Sequence, residues 1–334
     1  MMVNLKDPRV EVGVITANGF PKADETFQSM IARENPTLAV DGAYFDKTTK
    51  IPIGDVRERG QTLFEGMMGT CLAIDGLNQC HILRVTKGHA MNWEPYPTVL
   101  GCGPALLLNG KVDVDWQTEG FHDPHVMGSK NRMGVGYTKG GQMIIANILG
   151  AVTYEQEAGI FQQLGCYEAM NLDAGASQAI YFDKKYIQQP GRNLTNLLAV
   201  WVHDKPSFAR SPLLFKRSES AYNADLYQNS YDVKKEQAFN GTIVSGFGLS
   251  NDEPADGSAV IRVKKPDGSA VSVVLGPSSY VRKVSDFHAD ESVQVSGEEI
   301  EVNGEKFILA RRIMDRRMVY LRDANGAPLW TPQA

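Results

Sequence analysis

Thiol pairs, long apolar runs and any excess of basic charge are all missing from this 334-residue chain. Its four cysteines, at 71, 80, 102 and 166, form no C-x-x-C, which argues against a zinc site built on thiolate pairs. The longest apolar run, residues 143–152, is interrupted by Asn147 and falls far short of the ~20 residues a membrane span needs. No membrane span is expected. The first residues, Met1-Met2-Val3-Asn4-Leu5-Lys6-Asp7-Pro8, run into a strand-like segment at 10–15 without the pattern of a secretory leader. That suits a cytoplasmic protein, or an exported one whose leader has been removed. Lys and Arg total 34 against 39 Asp and Glu, a formal charge of −5, so nucleic-acid binding through bulk charge is excluded. With 43% apolar and 22% charged residues and no low-complexity tract, the chain is not disordered as a whole.

The common catalytic signatures are absent too. There is no G-x-x-x-x-G-K-[ST], no H-E-x-x-H and no G-x-S-x-G. Gly101-Cys102-Gly103-Pro104-Ala105-Leu106 lacks a third glycine and leads into a strand, so it is no dinucleotide fingerprint. His122-Asp123-Pro124-His125 holds ligand-type residues, but its proline makes it a solvated turn.

What is present is mostly strand. Short apolar or alternating segments are separated by Asp75-Gly76, Asn109-Gly110, Asn240-Gly241, Asp267-Gly268, Asn303-Gly304 and Asn325-Gly326 turns. Helices are expected at 23–34, with Phe27, Met30 and Ile31 on one face, and at 153–164, with Thr153 as N-cap and Gly165 as stop. Strand runs with a few packed helices predict an α+β fold, its sheet mixed or mostly antiparallel. Beyond it, period-two segments at 260–264, 270–275, 293–295, 299–302 and 307–310 predict a small all-β, OB-like barrel. The expected division is a catalytic-type domain over 1–205, a connecting arm over 206–238 and the barrel over 239–334. The arm carries Lys216-Arg217 and the polar run Tyr222-Asn223-Ala224-Asp225. Acidic side chains outnumber basic ones in the barrel, which favours a protein or glycan partner over nucleic acid.

One cysteine pair carries a compartment argument. If Asp75 and Gly76 form a two-residue hairpin loop, Cys71 falls opposite Cys80 at disulfide distance. A bridge there implies an oxidising compartment, and the alternative reading is two reduced buried cysteines or a slipped register.

Four polar clusters each follow an apolar strand. They are Asp41-Gly42-Ala43-Tyr44-Phe45-Asp46 with Pro52-Ile53-Gly54, then 101–106, then Asn131-Arg132-Met133-Gly134-Val135-Gly136, then Asn171-Leu172-Asp173-Ala174-Gly175-Ala176-Ser177 with Gly191-Arg192-Asn193-Leu194-Thr195-Asn196. Small residues at a strand end admit a ligand to the backbone, and the acidic and hydroxyl groups beside them supply proton transfer and hydrogen bonds. Two arginines in such company suit a phosphate or carboxylate.

In this order, over residues 5–203, the clusters resemble the phosphodiester glycosidase domain family. Asp41 to Asp46 matches an Asn-Gly-Gly/Thr-Tyr/Phe-Phe-Asp segment except at its first residue, and Pro52-Ile53-Gly54 matches a Pro-x-Gly step. Residues 101–106 match Gly-x-Gly-Pro-x-Leu, and Arg132 with Gly136 match Arg-Thr-Ala-x-Gly, Met133 and Gly134 replacing Thr and Ala. Residues 171–177 match Asn-Leu-Asp-Gly-Gly-Gly-Ser with alanine at 174 and 176, and Arg192, Leu194 and Asn196 match a closing Arg-x-Val-x-Asn.

The resemblance implies hydrolysis of a sugar 1-phosphodiester such as that of N-acetylglucosamine, in cell-envelope or exopolysaccharide metabolism, by a periplasmic or extracellular protein. It implies Asp173 and Asp46 as the carboxylate pair and Arg132 as a catalytic cation. Arg192, Asn171, Ser177, Asn196, Asp41, Tyr44 and the backbone of Gly101 and Gly103 would bind substrate. No cofactor is expected, although Asp41, Asp46 and Asp173 could take a divalent cation. The two alanines, which restrict positive φ, and the extra charge of Asp41 also fit a non-catalytic glycan-binding or scaffold protein. An envelope protein partner would use the barrel.

Overall fold

Side-chain alternation divides the first two hundred residues into layers. In the strand Leu38–Asp41, Leu38 and Val40 point into the central core while Ala39 points outward. In Asn196–Val202, Leu198 and Val200 face the core, and Leu197, Ala199 and Trp201 face outward. The outward set is covered by Phe27, Met30 and Ile31 of the helix Phe27–Glu34. This helix starts at Thr26, whose hydroxyl caps the Ser29 N–H, and ends at Asn35 in the left-handed region. The expected start at 23 is therefore four residues early, since residues up to 26 lie outside the helix.

The computed structural model describes residues 1–208, 226–250, 257–302 and 304–330. Two compact units emerge, Met1–Val202 and His203–Ala334. Lys216-Arg217, residues 222–225 and Asn303 lie outside the described residues.

In the first unit all strand pairings are antiparallel among the described residues. One five-stranded sheet runs Lys185–Gln188, Ile180–Phe182, Leu38–Asp41, Asn196–Val202, Val10–Thr16. A six-stranded sheet runs Met2–Asn4, Gln142–Val152, Lys130–Tyr137, Glu168–Leu172, Ala105–Leu108, Lys111–Val112. A third, five-stranded sheet runs Gln61–Phe64, Val56–Glu58, Thr98–Cys102, Gly69–Ile74, Cys80–Val85. All three contribute to one core, through residues such as Val40, Met133, Leu172, Leu72 and Leu100. The helix Tyr154–Gln163 begins in a capping box between Thr153 and Gln156 and packs Phe161 against Leu106, Leu107 and Ala169. Mostly antiparallel sheets with few helices make this α+β, and no helix among the described residues is long and apolar enough to cross a membrane.

The hairpin bearing Cys71 and Cys80 has a longer loop than expected. Its register sets Ile74 opposite Cys80 and Cys71 opposite Leu83, and all four cysteines are free and buried. The reason lies in the turn. Asp75 Oδ1 accepts from the N–H groups of Leu77 and Gln79, and the left-handed residue is Asn78. A five-residue loop replaces the two-residue one and slides the cysteines apart. Asn109-Gly110, by contrast, is a two-residue hairpin with positive φ at both positions, as a type I′ turn requires.

In the second unit the strand Gln237–Phe247 pairs with Ser258–Lys264 on one side and Ser292–Val302 on the other. Ser258–Lys264 pairs with Ala270–Pro277, and Ser292–Val302 with Glu305–Met314. A parallel contact of Ala270–Pro277 with Glu305–Met314 joins the two ends of this series. Two expectations fail here. Asn240-Gly241 lies inside a strand, where a Cβ at 241 would overlap Val263, so this glycine serves close packing and not a turn. The segments 293–295 and 299–302 are one strand, its register shifting between Ser296 and Gly297.

Candidate active site

Two sheets of the first unit bring their strand ends together. Asp41 ends Leu38–Asp41, Asn196 opens Asn196–Val202, Asp173 follows Glu168–Leu172 and Arg132 lies near the start of Lys130–Tyr137. Pairing sets Asp41 opposite Leu197 and Leu172 opposite Met133. A cavity of about 440 Å³ opens here, lined among others by Tyr44, Asp46, Lys47, Arg132, Asp173 and Arg192. That volume lies in the ~300–1,000 Å³ range of small-molecule sites.

Asp173 lines this cavity with a perturbed carboxyl. Burial pushes it up to about 6, opposed by the nearby Ser177 hydroxyl, the Ala174 N–H and the charges of Arg192 and Lys47. The carboxyl electrostatically coupled to it is Asp41. Burial holds Asp41 well above the usual carboxylate range, and the charge of Asp173 adds to the shift. Asp41 Oδ1 accepts from Gly42 N–H while Oδ2 has no partner. Desolvation thus works against the charge of this aspartate, which stands where the resemblance has asparagine.

Asp46 lines the cavity but is exposed, and its Oδ1 is committed to the N–H groups of Thr48 and Thr49 and to the Thr49 hydroxyl. Those bonds lower its pKa, as in a turn-capping carboxylate. Asp46→Asn is expected to leave turnover within about threefold, because the lost group shapes a surface turn; steady-state rates on a sugar phosphodiester check this.

The two arginines differ. Arg132 is almost fully buried, donates to the carbonyls of Val126 (3.0 Å), Gly128 (2.6 Å) and Val152 (3.4 Å), and stacks 3.8 Å from the Tyr154 ring. It holds the 126–128 segment at the rim, so positioning is its visible work. Arg192 makes no hydrogen bond or ion pair among the described residues, lines the cavity, and favours the charged forms of Asp41 and Asp173. Lys47, which immediately follows the Tyr44-Phe45-Asp46 motif, joins it; adjacency to that motif was the available signal.

The predicted amide ligands are braces. Asn171 is fully buried and its Nδ2 donates to Tyr44 Oη (2.6 Å), Gly103 O (3.1 Å) and Leu172 O (2.7 Å). Asn196 Oδ1 accepts from Ala43 N–H at 2.7 Å, and a Cβ on Gly42 would overlap that oxygen. Tyr44 does reach the cavity, edge-on to Phe121. The amides of Gly101 and Gly103 were expected to face ligand. They donate instead to Asp55 O and Asn171 O, because Gly101 passes against Gly54 too closely for any side chain. Ser177 is buried beside Asp173.

The two alanines do not strain their loop. Ala174 has φ −151° and ψ −160°, and the left-handed position is Gly175, at φ 64°. Both methyl groups line the cavity and narrow it. His122 and Asp123, read as a solvated turn, line it as well. Glu157 is fully buried, neither of its oxygens hydrogen-bonded, and burial holds it well above the usual range. It occupies space that Gly134 leaves open, since a Cβ there would lie 2.8 Å from Glu157 Oε1.

The MamS/MamX magnetosome protein family matches residues 235–319. A search of curated proteins finds no match. Among solved structures, the catalytic domain of zebrafish N-acetylglucosamine-1-phosphodiester alpha-N-acetylglucosaminidase, auto-inhibited by its pro-peptide, is similar in fold. The likeness has a TM-score of 0.50 at 18% identity and covers 60% of this chain and 74% of that one. A hypothetical protein from Synechocystis (TM-score 0.46, 15% identity, 60% and 58% covered) and a putative exported protein from Burkholderia pseudomallei K96243 (0.41, 13%, 58% and 72%) also align. The phosphodiester glycosidase family matches residues 34–201, half of the chain and the stretch that holds every cavity residue discussed above, and the chain belongs to that family.

Proposed function

We propose that the first unit hydrolyses a sugar 1-phosphodiester, N-acetylglucosamine 1-phosphate esters being the first class to test. The observation that carries this is Asp173, a carboxyl pushed up to about 6, sharing a cavity wall with Lys47 and with Arg192, which has no ion-pair partner among the described residues. Arg192 and Lys47 hold the phosphodiester and offset charge as it departs. Asp173, ionised, acts at the anomeric carbon as the C1–O bond breaks. Burial and the charge of Asp173 both work against ionisation of Asp41, which disfavours a second negative charge in the wall. Water supplies the oxygen that ends on C1, and the phosphate leaves on its acceptor. Phosphate is a good leaving group, so charge stabilisation outweighs general-acid help.

The pH dependence follows from Asp173. Its carboxylate is the working form, so activity is expected to rise through about pH 6 and level above it. Sugar release from a synthetic N-acetylglucosamine 1-phosphodiester, followed across pH, checks this. Binding of the sugar without turnover at any pH would favour the glycan-binding or scaffold reading, and the cavity-narrowing methyls of Ala174 and Ala176 are the observation on its side.

For the second unit we propose an OB-like barrel. The closing parallel contact between Ala270–Pro277 and Glu305–Met314 supports it, as does the helix Ser278–Val284 that follows the third strand of the series. An envelope protein partner and a place outside the cytoplasm rest on the family alone. The separation of Cys71 from Cys80 removes the disulfide argument for an oxidising compartment.

A further inference from the structure

The second unit gathers two histidines and a glutamate far apart in sequence. His203, His288 and Glu291 place three ligand atoms within 4.8 Å of one another. Glu291 Oε1 lies 3.2 Å from His203 Nδ1 and 3.5 Å from His288 Nδ1. The two imidazoles stack with centroids 3.5 Å apart and planes 14° apart. His288 has no exposed surface, and neither of its ring nitrogens makes a hydrogen bond. A buried imidazole in that condition has an unmet need for a partner.

The surroundings aim these groups. Glu291 Oε2 accepts from the His288 N–H at 3.0 Å, which turns Oε1 toward the rings. The 288–291 loop is pinned to the strand Gln237–Phe247 by Asp290 N–H to Ile243 O and Ile243 N–H to Glu291 O. On the other side, Phe208 N–H donates to Phe287 O, and Ser207 bridges His288. Both donor-bearing segments are therefore held by backbone.

We propose that His203, His288 and Glu291 form a binding site for a divalent metal ion of the zinc class. Ligand atoms about 2.0–2.1 Å from a tetrahedral ion stand roughly 3.3–3.4 Å apart, and the observed 3.2 and 3.5 Å separations bracket that value. Two imidazoles and one carboxylate suit zinc, cobalt(II), nickel(II) or iron(II) over calcium or magnesium, which take oxygen donors. His203 and Glu291 keep a little exposed side chain, so solvent reaches the cluster and can supply a fourth ligand. The ion would clip the first residue of this unit to a loop about 85 residues on, the long-range closure that constrains an unfolded chain most.

The test uses the full chain, stripped of metal by chelation and titrated with zinc chloride and, separately, cobalt chloride. One equivalent of each is expected to bind, and bound cobalt should show the strong visible bands of a four-coordinate site. Zinc should also raise the melting temperature by about 5 °C, reversibly with chelator. Glu291→Gln and His203→Gln keep side-chain volume and are expected to weaken zinc binding by at least about 100-fold, since even outer-sphere changes cost 10–100-fold. His288→Ala risks unfolding through the cavity it leaves, so the other two substitutions decide the matter. Absence of one-equivalent binding to the wild-type chain overturns the proposal. So does binding unchanged in both variants, which would place the ion on other histidines.

Discussion

Asp173→Asn is expected to lower turnover of a sugar phosphodiester by about 10³-fold and, unusually for a site substitution, to make the chain more stable at neutral pH. Both effects have one cause. The folded protein holds this carboxyl up at about 6, whereas the unfolded chain releases its proton near 4. Between those values the folded state binds more protons than the unfolded one, so stability falls as pH rises from about 4 to about 6. Above that window the cost stands in full, of order 1–2 kcal/mol after allowing for partial exposure, and asparagine removes it. Urea unfolding at pH 5 and pH 8, beside rates at pH 8, measures the pair. An active Asp173→Asn enzyme would dismiss Asp173 as the working carboxylate. A variant both inactive and destabilised would mean that the residue mainly supports the fold.

Gly42→Ala is the second large effect, and it falls on stability first. A Cβ at this position overlaps Asn196 Oδ1, which accepts the Ala43 N–H. The asparagine must leave, so overpacking of about 1–3 kcal/mol adds to the ~1–3 kcal/mol of an unpaired buried amide. A total loss of about 3–4 kcal/mol is expected, large against the ~5–15 kcal/mol that holds a typical protein folded. Turnover should fall with it, because the same segment carries Asp41 and Tyr44. Chemical denaturation reads the first effect. Pairing Gly42→Ala with Asn196→Ala separates the terms, since the shorter side chain relieves the clash and leaves the amide penalty. Unchanged stability in Gly42→Ala would show that the Asn196 amide moves aside at no cost.

Local features were legible from residue order. The helix at 154–163 and its Thr153 cap, the Asn109-Gly110 hairpin and the mostly antiparallel α+β character all follow from periodicity and turn chemistry. The family was legible because its polar clusters keep their order along the chain. Errors arose where one short pattern serves two ends. Asn240-Gly241 has the composition of a turn, yet its glycine is there to let Val263 approach. Asp75-Gly76 is a turn, but the left-handed position three residues in, at Asn78, decided the register and so the fate of Cys71 and Cys80.

By itself, then, the amino-acid order determined which segments extend, where helices are capped, and that Asp41, Arg132, Asp173 and Arg192 end up near strand termini. Tertiary structure alone decided what each of those groups is. Asp41 and Asp46 are five residues apart and chemically identical, but one is desolvated against Asp173 and the other is spent on a surface turn. Arg132 and Arg192 read alike, but one is tied to three carbonyls and the other lines the cavity without a hydrogen bond or ion pair among the described residues. His203 meets His288 and Glu291 beside the backbone bridge of Ser207 to His288, a contact between residues some 80 apart in the chain. The physical reason is common to all three. Burial and long-range proximity set a group's charge and its available bonds, and neither is a property of the residues beside it in sequence.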